Sequence, residues 1–243
     1  MSRYLAHAIT RRETGGPSVG LRGLALRWIG GDDLGVWVTE WSGAQALTRD
    51  DAFAHHDLVA ALCALGPCLP VRFGTWLATE DAARRSLEDG EARFAAAIDR
   101  IGDRQEVAVT LLWREAPATE PPDPAAPALA DGQLGPPGRS FLARKRAIHA
   151  VGDERRRRAE RLAARLAGAL AADQVDVRQE TCPSAEVALS MSLLARRDAA
   201  GPLKARATTA AAELSDVRAV VSGPWPPYSF TEELREVGVP GGS

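Results

Sequence analysis

Apolar and polar positions alternate along the first forty residues in three short runs. Tyr4 to Ile9 alternates weakly and is followed by Thr10 to Pro17, a polar, Gly-rich break, which predicts a first strand and a loop. Leu21 to Ile29 and Leu34 to Trp41 are two further strand-like runs around Gly30-Gly31-Asp32-Asp33, a composition that supplies the positive φ angles of a hairpin turn. In the second of these runs Val36 and Val38 point one way while Trp37, Thr39 and Trp41 point the other, so both faces carry apolar mass.

The period then changes to that of a helix. Thr48 stands where an N-cap would, Asp50 and Asp51 follow in the first turn against the helix dipole, and Phe53, Val59, Leu62 and Cys63 come before a stop at Gly66-Pro67. Leu69 to Thr75 reads as a short strand whose early proline suits an edge or first position. A second helix is capped by Thr79 and carries an apolar stripe through Ala83, Leu87, Phe94, Ile98 and Ile101.

The second half opens with Glu106 to Trp113, where Val107, Val109, Leu111 and Trp113 share one face of a half-buried strand. Seven prolines between Pro117 and Pro137 mark a segment, about residues 115–137, that cannot bury enough apolar surface to order itself; it is expected to be a flexible insertion. Arg139 to Ala172 is a long amphipathic helical pattern with Ile148, Val151, Ala159, Leu162, Leu166 and Leu170 on one stripe. Two strands, one beginning at Val175 and Val177 and one through Val187, Leu189, Met191 and Leu193, are followed by a helix expected to start at Gly201-Pro202, and then by the strand-like run Val217 to Val221. Residues 103–230 therefore read β-α-β-β-α-β, and the fold class is α+β. It comprises an N-terminal mixed α+β domain, residues 1–102, and a C-terminal ferredoxin-like domain, residues 103–243, carrying the Pro-rich insertion.

After the last strand comes Gly223-Pro224-Trp225-Pro226-Pro227-Tyr228-Ser229-Phe230. Its prolines supply no backbone donors and hold φ near −65°, so the segment cannot be an interior strand. Trp225 and Tyr228, three apart in a polyproline-like geometry of about three residues per turn, can share a face, either as a packed plug on the sheet or as a binding platform.

Composition adds exclusions. The 243 residues have 45% apolar and 26% charged side chains, ordinary globular usage, and a net charge of −2 that gives no overall pull toward nucleic acid or an anionic membrane. No apolar run approaches the roughly 18 residues that span a bilayer, and no signal-peptide core follows Met1, so a cytoplasmic location is expected. Cys63, Cys68 and Cys182 are too few for a disulfide scaffold and are expected to be buried free thiols.

Two clusters resemble chemistry. Cys63 and Cys68 have no second cysteine pair to complete a zinc site, and His55 and His56, adjacent on a helix, point about 100° apart, so one is expected to be solvated and the other packed or hydrogen-bonded. Ten Arg or Lys between Arg139 and Arg165 make a basic helix that is either a solvated, salt-bridged face or the anchor of a nucleic-acid-binding or regulatory module. The chain has no Gly-x-Ser-x-Gly elbow, no His-Glu zinc helix and no phosphate loop; it is not read as an enzyme, and no cofactor or metal is expected.

Three separated stretches carry a resemblance. Gly66-Pro67-Cys68-Leu69-Pro70-Val71-Arg72-Phe73-Gly74-Thr75, Gly138-Arg139-Ser140-Phe141-Leu142-Ala143-Arg144-Lys145 and the Gly223 to Phe230 octapeptide together resemble the gas vesicle GvpL/GvpF family. The departures are His56-Asp57 where the family tends to have His-Glu, and Trp76-Leu77 where it often has Val-Phe. The resemblance implies an accessory or minor structural protein of the gas vesicle, the gas-filled shell used for buoyancy. Its implied partners are the hydrophobic shell protein GvpA and other gas vesicle accessory proteins, with neither nucleic acid nor membrane. Candidate partner-binding residues are Val71, Arg72, Phe73 and Gly74 in the first stretch and Trp225, Pro226 and Tyr228 in the last. For Arg72 two roles are open, neutralising a buried carboxylate or meeting the partner.

Overall fold

The computed structural model describes residues 3–11, 15–31, 33–42, 45–114, 137–173 and 175–234. Among them the fold is mixed α+β, with two antiparallel sheets and four helices. The chain divides into two compact units, one made of Met1–Glu106, Leu194–Gly201 and Pro224–Ser243, the other of Val107–Leu193 and Pro202–Gly223.

In the first unit β1 (Arg3–Arg11) is the inner strand of a sheet ordered β2 (Leu26–Gly30), β3 (Leu34–Trp41), β1 and β4 (Cys68–Pro70), and β5 (Trp76–Leu77) also pairs with β1. The split alternation of β3 is resolved by two cores. Val36 and Val38 join Ala83, Leu87, Phe94, Ile98 and Ile101 of helix α2 (Glu80–Ile101), while Trp37 and Trp41 join Leu58 and Leu62 of helix α1 (Arg49–Leu65). A strand buried on both faces has its register fixed from both sides.

Both helices begin as their caps dictate. The Thr48 side chain accepts from the Asp51 amide and the Asp51 carboxylate accepts from the Thr48 amide, a reciprocal capping box. Thr79 accepts from the Ala82 amide at the start of α2.

In the β2–β3 turn neither Gly30 nor Gly31 has a positive φ, and Asp32 lies outside the described residues. Gly30 and Gly35 are cross-strand partners, and a Cβ on either would collide with the Trp28 indole lying across them. The glycines make room for a ring rather than for a turn conformation.

Leu69 to Thr75 departs from expectation. Only Cys68–Pro70 is strand; Val71–Thr75 leaves the ladder in a turn with Gly74 at φ +85°, and pairing with β1 resumes at Trp76. Cys63 and Cys68 are not free thiols. They form a disulfide with Cα atoms 5.3 Å apart, joining the last turn of α1 to the start of β4, and Cys182 alone is free among the described residues.

The second sheet is ordered β7 (Asp176–Thr181), β8 (Val187–Arg196), β6 (Arg104–Trp113) and β9 (Val217–Trp225), and helix α3 (Pro137–Ala169) follows β6 in the chain. β9 is an edge, which accommodates Pro224. Helix α4 (Arg197–Ala212) begins earlier than Gly201-Pro202, directly at the end of β8, leaving Pro202 inside the helix. Pro202, the sixth residue of α4, forgoes the amide that would bond the Asp198 carbonyl. The Pro-rich insertion falls almost entirely outside the described residues.

Candidate functional site

The first candidate stretch folds around a bulge. β1 runs in register with β3 up to Ala6↔Val38 and resumes at Ala8↔Trp37, so His7 is one residue in excess and has no cross-strand partner. A bulge re-aims its side chain and weakens local pairing. The freed main chain is taken up by the turn: the Val71 amide donates to the His7 carbonyl at 2.8 Å and the Ala6 amide donates to the Thr75 carbonyl at 3.0 Å. Within the turn the Thr75 hydroxyl donates to the Arg72 carbonyl at 2.8 Å.

The His7 ring is fully buried and meets His55 from α1, itself 2% exposed. The two Nδ1 atoms lie 2.9 Å apart, His7 Nε2 is 2.8 Å from the Thr39 hydroxyl, and His55 Nε2 is 3.0 Å from the Val71 carbonyl. Only one proton arrangement satisfies all four groups. His55 donates from Nε2 to Val71, its bare Nδ1 accepts from His7 Nδ1–H, and His7 Nε2 accepts from Thr39; both rings are then neutral. Burial, with His55 adding to it, pushes His7 down to about 3 from the ordinary histidine value. Burial also pushes His55 down to about 4, against the opposing pull of the Val71 carbonyl and with help from His56.

The last candidate stretch is anchored rather than loose. Ser229 donates from its amide at 2.9 Å and its hydroxyl at 2.7 Å to the buried Glu106 carboxylate, Phe230 is 2% exposed, and Arg100 donates to the Phe230 carbonyl at 3.0 Å. Trp225 and Tyr228 lie against His56, with ring centroids 4.9 Å and 6.2 Å away. Burial pushes the Tyr228 phenol up.

The adjacent histidines of α1 therefore serve different motifs. His55 turns inward and holds the Val71–Thr75 turn through the Val71 carbonyl and the Phe73 ring, whose centroid is 5.3 Å away. His56 turns outward and takes the rings of the tail. Two stretches about 150 residues apart in sequence meet on two successive side chains of one helix, as the 100° helical step requires.

Val71 is buried, Phe73 and Gly74 are half-buried, Pro226 is buried and Tyr228 is half-buried. The exposed candidates are Arg72 and Trp225, the latter 38% exposed, and Phe53 on α1 adds a ring 58% exposed. The expectation that Arg72 neutralises a buried carboxylate does not hold: its side chain is exposed and has no ion pair among the described residues. The arginine that does this is Arg22, which donates to Asp51 and Gln45 and lies over the Trp41 ring. Its hydrogen bonds hold the Asp51 carboxyl well below the usual range. Sequence reasoning missed His7, whose one signal is an imidazole inside an otherwise apolar strand.

Arg161 and Arg157 on the basic helix pair with Glu154, Arg158 pairs with Asp216 at 2.9 Å, Arg155 donates to the Ala185 carbonyl, and Arg155 and Arg158 also flank the Trp113 ring. These described arginines are paired or stacked; the side chains of Arg139, Arg144, Lys145 and Arg146 lie outside the described residues. The side chains of the second candidate stretch, Gly138 to Lys145, lie outside the described residues. Among the described residues no group of His, Cys, Asp or Glu could hold a metal ion, and no helix is long and apolar enough to cross a membrane.

The whole described fold is that of solved gas vesicle proteins. It superposes on the crystal structure of GvpF from Anabaena sp. PCC7120 with a TM-score of 0.71 at 15% identity, covering 95% of this chain and 96% of that one. It superposes on GvpF from Microcystis aeruginosa with a TM-score of 0.72 at 14% identity, covering 94% and 98%. Sequence narrows this class. Residues 4–232 match the family described as gas vesicle synthesis protein GvpL/GvpF, and the chain belongs to that family. It is 30% identical over 190 residues to gas vesicle protein L of Streptomyces sp. (strain CB03234), covering 74% of this chain and 68% of the relative. It is 27% identical over 240 residues to gas vesicle protein L1 of Halobacterium salinarum, covering 86% and 85%.

Proposed function

We propose that this chain is an accessory protein of gas vesicle assembly that binds the hydrophobic shell protein GvpA, limiting its aggregation or helping nucleate the shell. The family match over residues 4–232 carries this reading. The physical support is the surface around α1, where Phe53 and Trp225 present exposed ring surface. A shell subunit that must face gas exposes apolar surface before assembly and clumps unless a partner covers it. The exposed ring of Trp225 and the half-buried ring of Phe73 suit that task, because both already pack against a histidine of α1 and little entropy is lost on contact.

In this reading the β-α-β-β-α-β half is a ferredoxin-like body, supported by the strand order β7-β8-β6-β9, and its basic helix stabilises that body instead of reading nucleic acid. The protein then works inside the cell, at the forming gas vesicle and in the company of other gas vesicle proteins.

The test is coexpression of GvpA with and without this chain, followed by sedimentation. The expected result is a larger soluble share of GvpA and its co-sedimentation with the chain. No change in GvpA solubility, together with salt-sensitive binding of the purified chain to RNA or DNA, would overturn the reading.

A further inference from the structure

We propose that the Thr39–His7–His55–Val71 hydrogen-bonded chain is a proton-operated latch, in which uptake of one proton by the imidazole pair breaks the His7–His55 link and releases the Val71–Thr75 turn. As regulation of binding, it rests on the reading that this turn borders the docking surface.

The geometry leaves no place for an added proton. Each of the four ring nitrogens is already committed: two donate, to His55 Nδ1 and to the Val71 carbonyl, and two accept, from Thr39 and from His7. A proton entering at His55 Nδ1 sets two N–H groups head to head across a 2.9 Å contact. One entering at His7 Nε2 would leave the His7–His55 bond intact once the Thr39 hydroxyl rotates, but His7 is the more deeply depressed of the two rings, so the first proton goes to His55.

Among the described residues no acid answers that cation. On α1 the neighbours are Asp51, one turn earlier and committed to Arg22 and Thr48, and His56, whose influence disfavours a second charge. β3 offers Thr39, and the turn offers the Val71 carbonyl, the Phe73 ring and Arg72, whose exposed guanidinium adds only positive charge. The depressed affinities of both rings for a proton agree with this surrounding.

The yielding part is set by the ladder. His55 is carried by a capped helix, whereas His7 is the bulged residue, outside the β1–β3 register. Movement of the bulge withdraws the His7 carbonyl from the Val71 amide at the same time as His55 loses its orientation toward the Val71 carbonyl. Both hydrogen bonds on Val71 thus depend on the same imidazole contact, and Ala6 N–H to Thr75 follows from the same strand segment.

Amide hydrogen exchange on the full chain, corrected for intrinsic rates, tests the latch. Protection of the Val71 and Ala6 amides is expected to fall about tenfold or more between about pH 7 and about pH 4.5, while the Leu5 and Val38 amides keep theirs. In His7→Gln, which removes one of the two protonatable rings while His55 keeps its own, the turn's protection is expected to lose part of that pH dependence, and in His7→Gln/His55→Gln all of it. Should His7→Gln fail to fold, nitrogen-15 imidazole spectra of the wild-type chain decide: both rings neutral at about pH 7, one as the Nδ1–H and one as the Nε2–H tautomer, with protonation coinciding with loss of Val71 protection. Protection that stays constant over this range, or is lost only together with Leu5 and Val38, overturns the latch. Absence of GvpA binding at about pH 7 with the latch behaviour intact would count against the docking reading instead.

Discussion

At the scale of single residues, two arginines exchange the roles that sequence invites. Arg22 sits at φ 54° in a short turn with nothing in its neighbours to announce a structural task, yet it satisfies both oxygens of the buried Asp51 carboxylate. Arg22→Ala is expected to lower the midpoint of chemical denaturation, because Asp51 then keeps only its Thr48 hydrogen bonds and loses its counterion. Arg72, in the most recognisable motif of the chain, is exposed, and Arg72→Ala is expected to leave stability within about 0.5 kcal/mol while weakening GvpA binding. Measured together, melting temperature and binding separate the two roles. Gly35 gives a third case. Gly35→Ala forces the Trp28 indole off the hairpin, with an expected loss of about 1–2 kcal/mol and a change in tryptophan fluorescence. The glycines were legible as a hairpin; that they accommodate a ring was not, since a cross-strand contact has no local signature.

At the scale of elements, α1 is the part that joins the motifs. Its N-cap at Thr48 and its apolar positions were readable, and so was the divergence of His55 and His56, whereas the reciprocal capping box with Asp51 was not. What each histidine faces was not readable, because His7, Val71, Trp225 and Tyr228 reach α1 only through tertiary pairing. The interruption between β4 and β5 has the same cause: Val71 to Thr75 has strand-like composition, but the bulge at His7 shifts the neighbouring ladder and the turn accommodates the shift. The tail's attachment is a testable element-level statement. Ser229→Ala removes the hydroxyl donor from the buried Glu106 carboxylate, and is expected to cost about 1–2 kcal/mol and to raise the rate of limited proteolysis near Tyr228.

At the scale of the whole molecule, the α+β class and both runs of elements were legible from period and capping, whereas the disulfide between Cys63 and Cys68 and the early start of α4 at Arg197 were not. The imidazole pair gives the molecule a pH dependence with a definite sign. Both folded-state values lie below the ordinary histidine value of 6.5, so the stability the pair contributes is fully present above about pH 6.5 and declines as pH falls toward about 4 and then 3. Within that window each pH unit costs up to about 1.4 kcal/mol per histidine, and denaturant midpoints measured across it are expected to drop on acidification and to drop less steeply in His7→Gln, where His55 alone still titrates.

The surface around α1 is the centre of the account, and one binding measurement bears on it most directly. Purified wild-type chain and the double variant Arg72→Ala/Trp225→Ala are titrated against GvpA at neutral pH, with melting temperatures recorded for both. The account predicts that both proteins unfold cooperatively and that the double variant binds at least tenfold more weakly, about 1.4 kcal/mol. Unchanged affinity in a folded double variant would contradict it.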